Sequence, residues 1–244
     1  MRTKDLRHLV IGMGQIGTAI YEVLSGTSEV YARDIKQSDD DDMDVLHICF
    51  PYYDGFIYDV AGYIEQYDPE LTIIYSTVPI GTSRTLGNDI VHSPVEGKHP
   101  NLAESIKKSP RWLGCVNNDA SNRAASIWLD KCTGIRQVVN SDITEWLKLR
   151  STAKYGVNLV WAEYEDKVNK KLNANPQIIK DFDMDYNRLY QDLRLPQFQR
   201  YILDPPNGEI GGHCVVPNAE LLNAQYPNVL LQEIIKMKPK RRKK

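Results

Sequence analysis

Leu9-Val10-Ile11-Gly12-Met13-Gly14-Gln15-Ile16-Gly17 is the stretch that decides the fold. A short apolar run that stops on glycine and resumes as an amphipathic segment reads as a strand turning into a helix. The glycines fit a G-x-G-x-x-G turn: Gly12 permits the tight turn, Gly14 lets a pyrophosphate approach the backbone, and Gly17 permits close helix–strand packing. The unpaired amides and partial positive charge of the helix N-terminus then face the phosphates. Asp34 closes the next apolar run, 20 residues after Gly14. A carboxylate there accepts hydrogen bonds from both adenosine ribose hydroxyls and repels a 2′-phosphate. The expected cofactor is NAD, with Arg33 and Lys36 as the neighbours that would favour NADP. The bland alternative is a fold of this type that has lost its ligand.

Outward from this turn, apolar runs at 8–11, 29–33, 45–50, 72–76, 89–92, 112–116 and 136–139 read as strands. Helical periodicity falls between them at 15–24, 55–66, 82–87, 101–107 and 120–131. Alternating strands and helices predict a doubly wound, mainly parallel sheet, an α/β Rossmann domain over residues 1–140. After Asn140 the pattern becomes helical. Ser141 or Asp142 can cap a long helix reaching about Leu172, with Trp146, Leu149, Ala153, Val157, Val160 and Tyr164 in one apolar stripe. Gly156 on that helix allows a neighbour to approach closely. A polar helix over 173–195, a Pro/Gly loop from Asp204, and short helices at 218–225 and 228–237 follow. Residues 141–235 thus read as a helical segment for dimerisation and an active-site loop, and 236–244 as a disordered basic tail.

Composition limits the function. The 244 residues are 42% hydrophobic and 25% charged, with a net charge of −2. The tail holds seven basic residues, and without it 23 basic residues face 32 acidic ones. An acidic body argues against a general nucleic-acid surface. No apolar run approaches the roughly 20 residues that cross a bilayer, and the N-terminus lacks a signal peptide's apolar core. The expected location is cytoplasmic. Cys49, Cys115, Cys132 and Cys214 form no CxxC pair, so the sequence points to no metal site. Cys49 and Cys115 read as small strand hydrophobes, while Cys214 follows Gly211-Gly212-His213 in a loop. His47 and His92 read as structural, and His99 is an outside candidate for cleft chemistry.

With the fingerprint in place, four later segments make the chain resemble the UDP-glucose/GDP-mannose dehydrogenase family. Ser76-Thr77-Val78-Pro79-Ile80-Gly81-Thr82 resembles that family's STVPPGT turn beside the nicotinamide. Ser93-Pro94-Val95-Glu96-Gly97-Lys98 is similar to a shortened SPE…EGK segment. Glu145 and Lys148 resemble the ExxK of its central dimerisation helix, and Ile210-Gly211-Gly212-His213-Cys214 its GGxC nucleophile loop. The segments keep the family's order.

The resemblance implies two successive hydride transfers to NAD that turn a sugar's primary alcohol into a carboxylate. Cys214 would be the nucleophile that captures the aldehyde, Lys148 would stabilise the oxyanion, Glu96 would position or activate water, and Thr152 would add a hydrogen bond. Gly12, Gly14, Gln15, Ile16, Gly17, Asp34, Pro51, Ser76 and Thr77 would hold the cofactor. The long helix would form a homodimer. Four departures qualify this. Thr152 stands where the family has Asn, Asn218 where it has Asp, and Val95 where it has the SPE glutamate. At 244 residues the chain also has no room for a second nucleotide-binding half. The leading expectation is an NAD-dependent oxidoreductase acting on an alcohol or aldehyde of a sugar or nucleotide sugar. The alternatives are a catalytically impaired NAD-binding subunit for sensing or interaction, and one half of a split enzyme.

Overall fold

The computed structural model describes residues 6–34, 42–97 and 100–239, so Lys36, the acidic residues 39–41, Lys98, His99 and the tail from 240 lie outside the described residues. The chain divides into two compact units, Met1–Leu149 and Arg150–Lys244.

The first unit contains β1 (Arg7–Ile11), α1 (Gln15–Ser25), β2 (Glu29–Arg33), β3 (Val45–Ile48), α2 (Phe56–Tyr67), β4 (Leu71–Ile74), α3 (Thr82–Leu86), β5 (Val91–His92), α4 (Leu102–Lys107), β6 (Arg111–Gly114), α5 (Asn118–Trp128), β7 (Ile135–Val138) and the start of α6 (Ser141–Leu172). Its seven strands lie in the order β2-β1-β3-β4-β5-β6-β7. The expected mainly parallel α/β sheet is what forms. Every pairing is parallel except β5 with β6, where His92 lies opposite Gly114. The order reverses beside β1, so the carboxyl ends of β1 and β3 diverge; in open α/β sheets a ligand crevice lies at such a point.

Helices cover both faces, which is why β3 and β4 are buried at every residue. Alternate side chains of β1 separate into two cores. Val10 joins Ile20, Leu24, Ile73 and Trp128 on one face, while Leu9 and Ile11 join Leu46, Ile48, Phe56 and Val60 on the other. A polar thread crosses the first core. His8 Nδ1 lies 2.9 Å from His47 Nε2, His47 Nδ1 lies 3.0 Å from the Tyr75 hydroxyl, and Trp128 Nε1 donates to that hydroxyl at 3.1 Å. Arg111 is buried beside the thread, its guanidinium over the Trp128 and Tyr75 rings and Nη2 donating to Ser93 O and Oγ.

The second unit contains the distal part of α6, α7 (Pro176–Asp192), a 3₁₀ turn (Pro196–Phe198), α8 (Val215–Gln225) and α9 (Val229–Lys236). Asn175 caps α7 and Asn228 caps α9, each accepting the backbone amide two residues on. A Cβ on Gly156 would stand 2.8 Å from Ile234 and 2.9 Å from Val215. Only glycine therefore lets α6 approach α8 and α9 this closely. Two expectations are revised. First, α8 starts at Val215 rather than 218, because Pro217 sits in the first turn, where its missing amide hydrogen has no intrahelical partner to lose. Second, the α6 stripe is not uniform: Leu149 and Ala153 are buried, whereas Trp146 and Tyr164 remain exposed. Among the described residues no helix is long and apolar enough to cross a membrane.

Burial pushes the histidines down: His8 falls to about 4 with Lys131 adding to the effect, His92 falls to about 3, and His47 falls well below its usual value. In the unfolded chain these rings titrate near 6.5. Between that pH and the folded values only the unfolded state takes up protons, so stability falls as pH drops below about 6.5. At pH 4 the loss from His8 is on the order of 3 kcal/mol. We expect the urea midpoint to fall steadily from pH 7 to 4 and to fall less steeply in His8→Asn. A flat midpoint over that range would contradict the buried neutral rings.

Candidate functional site

The three glycines of the opening stretch occupy three different environments. Gly12 has φ +94°, and a Cβ there would meet the Phe50 amide nitrogen at 2.6 Å. A Cβ on Gly17 would lie 1.9 Å from the Gly12 carbonyl oxygen. Nothing lies within 4 Å of the place a Gly14 Cβ would occupy. Gly14 is also the N-cap of α1, whose first turn carries no acidic side chain. The first-turn amides of Gln15, Ile16 and Gly17 have no partner within the helix. Two bonds hold the turn at the switch point: Gly12 N donates to Arg33 O at 2.9 Å, and Cys49 N donates to Ile11 O at 2.8 Å.

Asp34 is exposed immediately after β2. Its neighbour Arg33 is held from α2, with Nη1 donating to Tyr67 Oη at 2.8 Å and Gln66 Oε1 at 3.2 Å and the guanidinium 4.9 Å above the Tyr63 ring. Pro51 is exposed beyond β3. Ser76 is buried at the end of β4, and its hydroxyl donates to Phe50 O at 2.6 Å. Thr77 is half-buried. The expected cofactor residues thus collect at the carboxyl ends of β1 to β4.

The start of α6 reaches the same edge. Glu145 is fully buried and accepts from the backbone amides of Gly81 at 2.6 Å and Ser83 at 2.8 Å. Burial pushes its carboxyl up, and the two amide bonds oppose that shift. Lys148 Nζ donates to Val95 O at 2.5 Å and lies 3.7 Å from Glu96 Oε1, so the expected lysine and glutamate are brought together. His92 Nδ1 lies 2.9 Å from Thr144 Oγ1, and its Nε2 lies 3.3 Å from Ser76 O. The sequence reading missed the contacts made by Glu145, Thr144 and His92. The spacing of Ser141, Thr144, Glu145 and Lys148 along one helix face was the signal available.

Thr152, Cys214 and Asn218 belong to the second unit. Cys214 is the exposed N-cap residue of α8, after Gly212 at φ +85°. Asn218 N donates to Cys214 O at 3.0 Å, and the buried Asn218 side chain donates through Nδ2 to Thr152 Oγ1 at 3.1 Å. The two departures from the family pattern are therefore bonded to each other.

No family model and no curated protein matches the sequence. Solved structures do. The UDP-D-ManNAc dehydrogenase of Pyrococcus horikoshii superposes with a TM-score of 0.75 at 17% identity, over 95% of this chain and 68% of that one. The UDP-glucose dehydrogenase of Pyrobaculum islandicum gives 0.73 at 12% identity, over 96% of this chain and 68% of that one. The chain shares the fold of these two structures. The 3-hydroxyisobutyrate dehydrogenase of Mycobacterium tuberculosis gives 0.70 at 13% identity, over 94% of this chain and 91% of that one. The same fold therefore serves both nucleotide-sugar and small hydroxy-acid dehydrogenases.

The glycine geometry separates folding from ligand approach. Gly17→Ala places a methyl inside the Gly12 carbonyl and is expected to cost about 3 kcal/mol or to prevent folding. Gly14→Ala adds its methyl to open space and is expected to change stability by no more than about 1 kcal/mol. Thermal melts of the two variants check this. A Gly17→Ala protein that melts like the wild type would contradict the close approach.

Proposed function

We propose that the first unit binds NAD and that the chain is an NAD-dependent oxidoreductase acting on an alcohol or aldehyde of a sugar or nucleotide sugar. The observation that carries this reading is the unobstructed Gly14 backbone at the sheet's switch point, with Asp34 at the end of the adjoining strand. The cradle fits a dinucleotide: the α1 amides of Gln15, Ile16 and Gly17 take the pyrophosphate, Asp34 takes the adenosine ribose, and Pro51, Ser76 and Thr77 line the nicotinamide end. Arg33, engaged by Tyr67 and Gln66, supports NAD over NADP. The chemistry that NAD would supply, if held there, is acceptance of a hydride from a substrate carbon.

The chain's own groups do the rest in this reading. The Cys214 thiol adds to the aldehyde carbon, forming a carbon–sulfur bond while the carbonyl oxygen takes up the proton. In the first unit, Lys148 would stabilise negative charge that develops on a substrate oxygen, and Glu96 would position water. Thr152 and Asn218 orient polar groups but accept no proton as a carboxylate does. That is the specific observation favouring the second reading, an NAD-binding subunit with impaired catalysis. The exposed Trp146, Trp161 and Tyr164 rings support a homodimer along α6. Light scattering should return a mass near twice 27.9 kDa.

Calorimetric titration with NADH and NADPH tests the cofactor: NADH is expected to bind more tightly, and Asp34→Ala to weaken NADH at least about tenfold, or 1.4 kcal/mol. No binding by the wild type would end the NAD reading. NADH production from UDP- and GDP-sugars is then followed by absorbance, with Cys214→Ser expected to abolish the aldehyde-to-acid step. Tight NADH binding without turnover on any sugar would select the impaired-subunit reading.

A further inference from the structure

We propose that Glu145 is a positioning residue for the nicotinamide end of the cofactor: its buried carboxylate sets the shape of the turn at 76–81, while the adenosine end is held independently of it. This rests on the NAD site proposed above.

The turn leaves β4 at Ser76 and enters α3 through Gly81, whose φ is +94°. A helix start of this kind is ordinarily capped by a side chain within the turn itself. Gly81 has no side chain to do so, and no side-chain cap forms there. The acceptor comes instead from 62 and 64 positions along the chain: both Glu145 oxygens take an amide, Oε2 from Gly81 and Oε1 from Ser83. A carboxylate taken wholly out of water carries a large desolvation cost unless it is bonded on both oxygens. The contact is therefore sensitive to geometry.

The preceding residue grips the other end of the same turn. Thr144 Oγ1 bonds His92 Nδ1, and His92 Nε2 faces the Ser76 carbonyl oxygen. Consecutive residues of α6 thus fix the first and last residues of the turn, and Lys148, one helical turn on, bonds Val95 O. Gly114 makes the approach possible, since a Cβ there would sit 2.3 Å from Thr144 Oγ1 and 2.9 Å from Ser141 Cα. The glycine turn at 12–17 and Asp34 make none of these contacts. A change at Glu145 should therefore move the residues lining the nicotinamide and leave the pyrophosphate and ribose contacts in place.

The test compares two ligands on one variant. Wild-type protein and Glu145→Gln are titrated calorimetrically with NADH and with ADP-ribose, which lacks the nicotinamide. Glu145→Gln is expected to lose about tenfold in NADH affinity, equivalent to 1.4 kcal/mol, and to hold ADP-ribose within about twofold. A role in stability alone would lower the melting temperature and move both ligands together or neither, and either pattern overturns the proposal. If Glu145→Gln does not fold, Thr144→Val, which removes the bond to His92 without changing side-chain shape, is expected to give the same split in the same direction. Equal loss of both ligands in Thr144→Val would likewise overturn it. Failure of the underlying NAD reading looks different: the wild type itself would bind neither NADH nor ADP-ribose.

Discussion

The 1.9 Å that would separate a Gly17 Cβ from the Gly12 carbonyl oxygen is the constraint on which the first unit rests. Helix α1 approaches the end of β1 so closely that no side chain fits between them, and Gly12 in turn lies against the backbone of Phe50. These contacts place the start of α1 at the point where β1 and β3 diverge. Gly14, between them in sequence, meets nothing within contact distance. One tight turn thus both closes the fold and leaves backbone amides open, which is the physical condition for taking a phosphate group.

The other end of the sheet's carboxyl edge is organised from a distance. The first two turns of α6 bring a carboxylate, a hydroxyl and an ammonium to the ends of β4 and β5 and the loop beyond. Each meets buried backbone or a buried ring: Glu145 the amides of Gly81 and Ser83, Thr144 the ring of His92, Lys148 the carbonyl of Val95. Buried polar groups of this kind tolerate little displacement, because losing a partner exposes the full desolvation cost. The result is a rigid lining built from side chains far apart in sequence. The histidine–tyrosine–tryptophan thread inside the sheet follows the same rule, and burial keeps its imidazoles neutral.

The second unit is built on a different economy of space. Gly156 lets three helices close on one another, and the buried bond from Asn218 to Thr152 links α8 to α6. In the nucleotide-sugar dehydrogenase pattern those two positions carry Asp and Asn. Here they carry a complementary amide–hydroxyl pair that satisfies itself without a charge. An amide and a hydroxyl hold one another by a hydrogen bond but accept no proton as a carboxylate does. The match of this fold to a 3-hydroxyisobutyrate dehydrogenase over 91% of that chain adds that the architecture alone does not choose a substrate.

The sequence by itself determined the elements and their alternation, because hydrophobic period and glycine spacing are local properties. The strand at 8–11, the glycine turn, Asp34 at the end of β2 and the limits of α6 all follow from residues close together in the chain. Tertiary structure alone decided what depends on contacts between distant segments. The antiparallel pairing of β5 with β6 is one example, since two short strands carry no local mark of direction. The apolar stripe of α6 gave no sign of which members would be covered, because covering depends on what packs against them. Glu145 is the clearest case. As a sequence letter it is one more charged helical residue, and only the approach of Gly81 and Ser83, more than sixty positions away, makes it a buried acceptor for two amides.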